Sequence, residues 1–244
     1  MIYVATRTGK QHNKSEDTVL VGKVIVSDDA DILPTLDCGF ICVADGVGGN
    51  QGGAQASAFL LGELAAVDTI ENAESLKSLL SEINSRLIAI GQAEPSIASM
   101  ATTLTGVYLN EGARFLMHIG NTRAFIRQGK YLKQITQDHT VFNWLQKSGR
   151  LDEAETCNKN EITNCFGGGD KSLLSKLYVT EIPDFSQLLL TSDGVHEHVD
   201  IDLLEDILNE DSPGEDKCNK ILDAAITAGS EDDISVILAC IKEE

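Results

Sequence analysis

Residues 41–57 read ICVADGVGGNQGGAQAS. An apolar run, residues 40–44, ends abruptly in Asp45-Gly46, five glycines lie within residues 46–53, and a helix-like pattern follows them. This order predicts a core strand that delivers one carboxylate to the surface, beside backbone that carries no side chains. Metal-dependent phosphate chemistry could use such a corner if further carboxylates join it.

Other aspartates stand at the ends of apolar runs in the same way. Asp193 follows LLLTS, and Asp232-Asp233 directly precedes ISVILACI. If these strands lie beside the one that ends at Asp45, their carboxylates converge at one end of a sheet. Mg²⁺ and Mn²⁺ prefer oxygen ligands of this kind, and a bound cation removes the repulsion between crowded carboxylates.

Other interpretations of these residues are weaker. Asp-Gly is a common turn dipeptide, so any one of these aspartates alone is best explained as a turn. The glycine loop lacks the GxxxxGK[ST] pattern of a P-loop, and it fails GxGxxG because Gln51 occupies the last glycine position. Hairpin-like strands later in the chain argue against a Rossmann unit. Zinc at His196 and His198 is disfavoured, because residues two apart do not share a helix face.

Composition limits the class of protein. The 244 residues are 42% hydrophobic and 23% charged, as in globular proteins, and we expect a single domain over residues 1–244. The net charge of −19 argues against nucleic acid or an anionic membrane as a constant partner, because both attract clustered Lys and Arg. No secretory signal or membrane span is apparent, and the six cysteines form no CxxC pair. A cytoplasmic protein with reduced thiols is expected.

Apolar periodicity and turn residues predict an α+β fold. Short turns between several strands favour antiparallel pairing, so the predicted architecture is an antiparallel β-sandwich with helices packed outside. An irregular segment is expected over residues 149–171. Helices are predicted at 56–67, 76–90, 141–148, 201–209 and 216–228, and strands at 2–5, 18–26, 39–44, 102–109, 114–119, 123–127, 131–135, 176–180, 187–192 and 234–241.

Several short motifs follow one another along nearly the whole chain. DGVGG at residues 45–49 is followed in register by Gly53 and Ala56-Ser57, with Ala54 between them. In this order the motifs resemble the type 2C (metal-dependent, PPM) serine/threonine protein phosphatases, in which a Glu is usual at the place of Ala54. The other matching elements are Met100-Ala101-Thr102-Thr103-Leu104, Gly120-Asn121-Thr122-Arg123 with Asp138-His139, Ser192-Asp193-Gly194, and GSEDDISVIL at 229–238.

The resemblance implies a fold and a set of metal ligands. The implied fold is an antiparallel β-sandwich flanked by helix pairs, in α-β-β-α layers, with two Mg²⁺ or Mn²⁺ ions at one end. Asp45 would bridge both ions, and the Gly46 carbonyl would bind one of them. Asp193 and Asp232 would complete the other site. Glu16-Asp17 matches the family's N-terminal acidic pair, which supplies a direct or water-mediated ligand.

The implied activity is hydrolysis of phosphoserine and phosphothreonine in proteins by a water molecule that two metal ions activate. The catalytic residues would be Asp45, Asp193 and Asp232, acting through the metals. The implied partners are a phosphorylated protein substrate and a cognate Ser/Thr kinase. The alternative is a catalytically weak relative that binds phosphorylated partners or regulates a kinase.

Departures from the family pattern keep that alternative open. His12 lies five residues before Asp17, where the family often has an Arg that contacts the substrate phosphate. Because His cannot reproduce the bidentate fork of Arg, we predict weaker phosphate binding at His12. Asn121 replaces an Asp that helps the family to hold a third metal, so a weak third site is predicted. The family's variable flap is expected within residues 149–171, and His139 is expected to be structural.

Overall fold

Two antiparallel sheets form the centre of the molecule. The computed structural model describes residues 1–10, 12–32, 39–47, 52–110, 113–182 and 184–241. Its strands are β1 (Ile2–Arg7), β2 (Thr18–Val21), β3 (Val24–Val26), β4 (Ala30–Ile32), β5 (Gly39–Ala44), β6 (Ala101–Thr102), β7 (Leu104–Asn110), β8 (Ala113–Ile119), β9 (Arg123–Gln128), β10 (Tyr131–Gln134), β11 (Phe166–Gly167), β12 (Tyr178–Glu181), β13 (Gln187–Thr191) and β14 (Ile234–Cys240). Its helices are α1 (Gly53–Ala65), α2 (Ala73–Ala93), α3 (Val141–Lys147), α4 (Leu151–Thr156), α5 (Asp193–His196), α6 (Ile201–Asn209) and α7 (Gly214–Thr227).

The strand order confirms the antiparallel sandwich predicted from the sequence. One sheet has the order β10-β9-β13-β14-β1-β4, and the other has the order β12-β8-β7-β5-β2-β3. Neighbouring strands in both sheets run antiparallel. A short separate ladder pairs β11 with β6.

Three apolar clusters hold four layers together. The central cluster, which includes Val4, Ile41 and Ile237, lies between the two sheets. A second packs α1 and α2 on the sheet that contains β5, and a third packs α6 and α7 on the sheet that contains β14. Strands covered on both faces read as continuous apolar runs, which explains residues 39–44. The expected α-β-β-α layers are therefore confirmed.

Local structure differs from the sequence prediction at several points, which include the unpredicted β4 and α5 and the break between β6 and β7 at Thr103. Residues 18–26 were expected as one strand, but the chain turns at Gly22, whose φ is 61°, and pairs β2 with β3. Residues 149–171 are not wholly irregular, because they contain α4 and β11. The short α4 buries only Ala154, so it leaves no apolar period in the sequence. Among the described helices, none is long and apolar enough to cross a membrane.

Candidate metal centre

Antiparallel pairing brings acidic strand ends of the second sheet together. Asp45 directly follows β5, and Asp17 directly precedes β2. Because these strands pair with Thr18 opposite Ala44, the end of one lies beside the start of the other. Asp17 and Asp45 therefore lie at the same edge of the sandwich.

The first sheet contributes acidic residues to the same edge. Asp193 follows β13, and Asp232-Asp233 precedes β14. Ser192 donates a backbone hydrogen bond of 3.1 Å to the carbonyl of Ser235, which holds the end of β13 against the start of β14. Each sheet thus supplies carboxylates to one corner, as the sequence predicted for Asp45, Asp193 and Asp232.

The carboxylates of this corner are close enough to perturb one another. Burial, followed by the charges of Asp193, Asp17 and Asp232, raises the pKa of Asp45 well above its ordinary value. Burial, followed by the charge of Asp232, raises the pKa of Asp193. Burial is also the main cause of the strongly raised pKa of Asp17, and the charge of Asp233 adds to it. Crowded acidic groups that are costly to ionise favour a cation between them.

Asp17 gives the clearest sign of a missing partner. Its side chain is 2% exposed, and no donor among the described residues makes a hydrogen bond of ordinary length to either carboxylate oxygen. Buried polar atoms are otherwise nearly always paired, because an unpaired one costs about 1–3 kcal/mol. A hard divalent cation, or water bound to one, would satisfy both oxygens.

The backbone at Asp45 is held by Thr102, the last residue of β6, and by Thr103, which directly precedes β7. The Asp45 carbonyl accepts from the Thr103 N–H at 2.8 Å and from the Thr102 hydroxyl at 2.8 Å. The Asp45 N–H donates to Thr103 Oγ1 at 3.0 Å. At Gly46, a Cβ atom would lie 2.5 Å from the carbonyl carbon of Gly53. Only glycine therefore allows α1 to begin this close to the carboxylate corner.

Glu16 lies at the start of α1. A Cβ atom on Gly53 would come within 2.8 Å of the Glu16 Oε1 atom, and the backbone of Ala54 hydrogen-bonds the same carboxylate. Helix N-termini carry unpaired N–H groups that favour an acidic partner. Within the predicted acidic pair, Asp17 is thus the member buried among the other aspartates, and Glu16 borders them.

Sequence reasoning missed Asp233, which organises the N-terminal segment. The buried Asp233 carboxylate accepts hydrogen bonds from the N–H groups of Gly9 and Glu16, both at 2.7 Å, and lies 2.8 Å from Nδ1 of His12. Ligand atoms of His12, Asp232 and Asp233 lie within 4.8 Å of one another. The signal in the sequence was the second Asp of EDDIS, which stands where the resembled family has Asn.

Asn121 contacts the same corner. Its Nδ2 donates to Asp193 Oδ2 at 2.7 Å, while its buried Oδ1 has no donor among the described residues. Two residues later, Arg123 forms an ion pair with Asp138 at 2.6 Å. This ion pair connects the element Gly120-Asn121-Thr122-Arg123 to the element Asp138-His139, and Asn121 contacts the predicted metal ligand Asp193.

The histidines near the corner have structural partners. Nδ1 of His139 accepts the N–H of Gly120 at 3.1 Å, and burial lowers the pKa of His139 to about 4, so the ring is neutral. Nδ1 of His196 lies 2.8 Å from the Thr191 hydroxyl, whereas His198 is exposed. These contacts support the structural role predicted for His139 and offer no zinc site. Gly48 and Gly49 of the glycine loop lie outside the described residues.

Comparisons with known proteins identify the chain's relatives. The family model described as Protein phosphatase 2C matches residues 25–225. The protein phosphatase PhpP of Streptococcus pneumoniae is 31% identical over 214 residues, which cover 84% of this chain and 86% of that protein. The family model therefore covers Asp45, Gly46 and Asp193 of the candidate metal centre, whereas Glu16, Asp17 and Asp232 lie outside its residue range.

Solved structures show the same fold. The crystal structure of the serine/threonine phosphatase Stp1 from Staphylococcus aureus has a TM-score of 0.82 at 26% identity, and the match covers 99% of this chain and 95% of that chain. The catalytic domain of the serine/threonine protein phosphatase PstP, solved in complex with two manganese ions, has a TM-score of 0.77 at 23% identity and is covered completely.

Proposed function

This chain belongs to the protein phosphatase 2C family, and on that premise we propose that Asp17, Asp45, Asp193 and Asp232 hold the divalent cations of its active site. The chain is a protein-serine/threonine phosphatase. Its cofactors are two Mg²⁺ or Mn²⁺ ions. Its substrates are phosphoproteins, and we further propose a cognate Ser/Thr kinase as the enzyme that it opposes.

This assignment rests mainly on the burial and hydrogen bonding of the Asp17 carboxylate. Its two buried oxygens have no donor at ordinary hydrogen-bond length among the described residues, although the hydroxyl groups of Ser192 and Ser235 are near. They lie next to the carboxylates of Asp45 and Asp193, which matches a site built for cations. Asp45 lies between the acidic groups of both sheets, which suits a ligand shared by two ions. The Gly46 carbonyl is proposed as a further ligand, and Glu16 as one that acts through water.

When bound, the two cations lower the pKa of a water molecule so that it can attack phosphorus, and they offset charge on the phosphoryl oxygens. The chain's own residues fix the positions of the ligands. Thr102 and Thr103 hold the backbone of Asp45, and Asn121 orients the carboxylate of Asp193 through its amide. Catalysis requires such groups to be placed before the reaction.

His12 is proposed to bind the substrate phosphate. Because the carboxylate of Asp233 can only accept, Nδ1 of His12 carries the proton that lies between them, and Nε2 is the ring atom left for a ligand. Burial lowers the pKa of His12, but the hydrogen bond and charge of Asp233, with the charges of Glu16 and Asp232, raise it overall. A protonated ring attracts phosphate, though without the fork of Arg.

The test uses p-nitrophenyl phosphate and a phosphothreonine peptide, each with Mn²⁺ or with EDTA. Wild-type protein should turn over both substrates only with Mn²⁺. Asp45→Asn should lose about 100-fold or more in kcat, since metal stabilisation of the transition state is worth several kcal/mol. The exposed Asp216→Asn serves as the control. Turnover that is independent of Mn²⁺, or full activity in Asp45→Asn, would reject the assignment.

A further inference from the structure

A polar cavity adjoins the metal centre. It has a volume of about 680 Å³ and lies between the β9–β10 hairpin, the segment that contains α3, and the end of α5. Asn121 lines the cavity and also donates to Asp193, so one side chain separates the cavity from a proposed metal ligand. The residues of its wall that decide its chemistry are Asn121, Gln134, Asp138, Asn143, Asn160 and Glu197.

Hydrogen bonds fix the orientation of the amides in this wall. Gln134 Nε2 donates to Asp138 Oδ1 at 3.1 Å, and Asn143 Nδ2 donates to the Asp138 carbonyl at 3.1 Å. Asn160 Nδ2 donates to Glu197 Oε2 at 2.5 Å. A carbonyl oxygen and an ionised carboxylate can only accept, so the NH₂ group of each amide is the end that faces its partner, for Asn160 above the pKa of Glu197. The carbonyl oxygen of each amide is then the end left for a ligand.

Asn121 is oriented in the same way, and its carbonyl oxygen is buried. Its NH₂ group faces the Asp193 carboxylate, and its Oδ1 is buried with no donor among the described residues. The residue is 3% exposed and lines the cavity. A buried acceptor without a partner is costly, so a donor brought by a ligand would be stabilised there.

The wall contains two carboxylates and two cationic side chains. Arg123 neutralises Asp138 through their ion pair, whereas Glu197 hydrogen-bonds an amide, and desolvation and then the charge of Asp193 raise its pKa to about 7. Lys159 is the other cation of the wall, and its ammonium lies 5.3 Å from the centre of the Phe142 ring. Aromatic faces attract cations, so the Phe142 ring already holds Lys159, which would compete with a cation that a ligand brings.

We propose that this cavity is a specificity site for a Lys or Arg side chain that flanks the phosphorylated residue of the substrate. Arg and Lys carry several donors and no acceptor, which matches a wall of carbonyl and carboxylate oxygens. An extended peptide spans about 3.3 Å per residue, so a nearby flanking residue reaches the cavity while its phosphate lies at the metal centre. This inference rests on the phosphatase function proposed above.

The experiment compares phosphothreonine peptides of one sequence with Arg, Lys, Ala or Glu at each of the three positions on either side of the phosphothreonine. In Mn²⁺, at least one position should give about tenfold higher kcat/KM for Arg than for Ala, because the guanidinium makes charge-assisted hydrogen bonds that Ala cannot make. Glu at that position should be worse than Ala. Because p-nitrophenyl phosphate has no flanking residue, its turnover measures the metal-dependent reaction independently of the cavity.

Variants of the wall separate the cavity from the overall negative charge. Lys159→Glu should increase the Arg-to-Ala ratio of kcat/KM, because it removes a competing cation and adds an acceptor. Lys147→Glu makes the same change on α3 outside the wall and should leave the ratio unchanged. Asn143→Lys should reduce the ratio to about one or below, since it places an ammonium in the wall. Melting curves show which variants fold. If only one of Lys159→Glu and Asn143→Lys folds, its Arg-to-Ala ratio is sufficient to test the specificity site.

The possible outcomes distinguish failure of the specificity site from failure of the phosphatase function. Equal kcat/KM for Arg and Ala peptides at all six positions, with normal turnover of p-nitrophenyl phosphate, overturns the specificity site and leaves the phosphatase function intact. An Arg preference that Lys147→Glu and Lys159→Glu change equally also overturns it, because the net charge alone would then explain the preference. Absence of Mn²⁺-dependent turnover of every substrate overturns both.

Discussion

Oδ2 of Asp233 lies 2.8 Å from Nδ1 of His12, although 221 residues separate them in sequence. The same carboxylate accepts two backbone N–H groups of the N-terminal segment, from Gly9 and Glu16. It thereby fastens that segment to the start of β14, next to Asp232. Two of the departures from the family pattern are therefore in contact, because Asp233, where Asn is usual, holds His12, where Arg is usual.

Asp233→Asn should destabilise the protein by about 2 kcal/mol. An amide offers one acceptor oxygen where the carboxylate serves three donors, so at least one buried donor loses its partner. The pKa of His12 should fall as well, because the hydrogen bond and charge that raise it are removed. Urea unfolding and an NMR titration of His12 measure both effects, with Asp216→Asn as the control. An unchanged His12 pKa would show that the pair does not form in solution.

His12→Arg should lower KM for a phosphothreonine peptide and change kcat little. The guanidinium offers two parallel donors to phosphate, which a single imidazole nitrogen cannot. Lys14→Arg, an exposed change in the same segment, should leave KM as it is. Steady-state kinetics in Mn²⁺ compares the three proteins. If His12→Arg and Lys14→Arg give the same KM as wild type, His12 does not occupy the phosphate-binding position.

The strand ends that carry the site could be predicted because each leaves a strong local pattern. Apolar runs before Asp45 and Asp193, and after Asp232, reflect strands buried on both faces. Their convergence follows from antiparallel pairing, which the short turns indicated. The resemblance supplied the ligand roles that no single motif could give, since Asp-Gly alone is explained as a turn.

Other features depend on contacts that leave no local pattern. The role of Asp233 arises from hydrogen bonds to residues more than 200 positions away. The break between β2 and β3 depends on the positive φ of Gly22, within a run that otherwise reads as one strand. The cavity beside Asn121 forms where residues 121–123, residues 134–143 and residues 159–160 meet in the folded chain. The orientations of Asn121 and Asn160 are set by partners 72 and 37 residues away.

Asn121→Asp should create a stronger third metal site and a less stable metal-free protein. The amide now donates to Asp193 at 2.7 Å, and a second carboxylate there would repel the first unless a cation lies between them. We expect the metal-free variant to lose about 1–3 kcal/mol and crystals grown in high Mn²⁺ to show a third ion. Asn158→Asp is the matched control. An ordered third ion in the wild type under the same conditions would contradict the predicted weak site.

His118 should make the protein less stable in mild acid. Nδ1 lies 2.7 Å from the Thr105 hydroxyl and Nε2 lies 3.0 Å from the Gln137 carbonyl, and burial, followed by the charge of His139, lowers its pKa to about 3. An unfolded His titrates near pH 6.5, so below that pH the unfolded chain binds the extra proton. The contribution to stability is complete above pH 6.5 and falls by about 1.4 kcal/mol per pH unit down to the folded pKa.

Urea unfolding at pH 7 and pH 5 in EDTA measures this effect. His118 should account for about 2 kcal/mol of the loss at pH 5, and His118→Gln should lose correspondingly less between the two pH values. The exposed His198→Gln should retain the full wild-type pH dependence. Parallel pH profiles for wild type and His118→Gln would show that the buried ring does not titrate as expected.

Asp17→Asn should stabilise the metal-free protein while it weakens the response to Mn²⁺. The pKa of the buried Asp17 carboxylate is raised in the folded protein, so the folded state binds more protons than the unfolded state. The stability that this proton binding provides is lost as the pH rises above the pKa of the unfolded chain, which is near 4. A neutral amide avoids that loss, and its advantage in EDTA should grow with pH. A ligand stabilises a protein more when it binds more tightly, so the Mn²⁺-induced rise in Tm should shrink in Asp17→Asn and persist in the exposed Asp152→Asn. A variant that is less stable than wild type in EDTA at pH 8, yet gains the full rise in Tm with Mn²⁺, would exclude Asp17 from the metal centre.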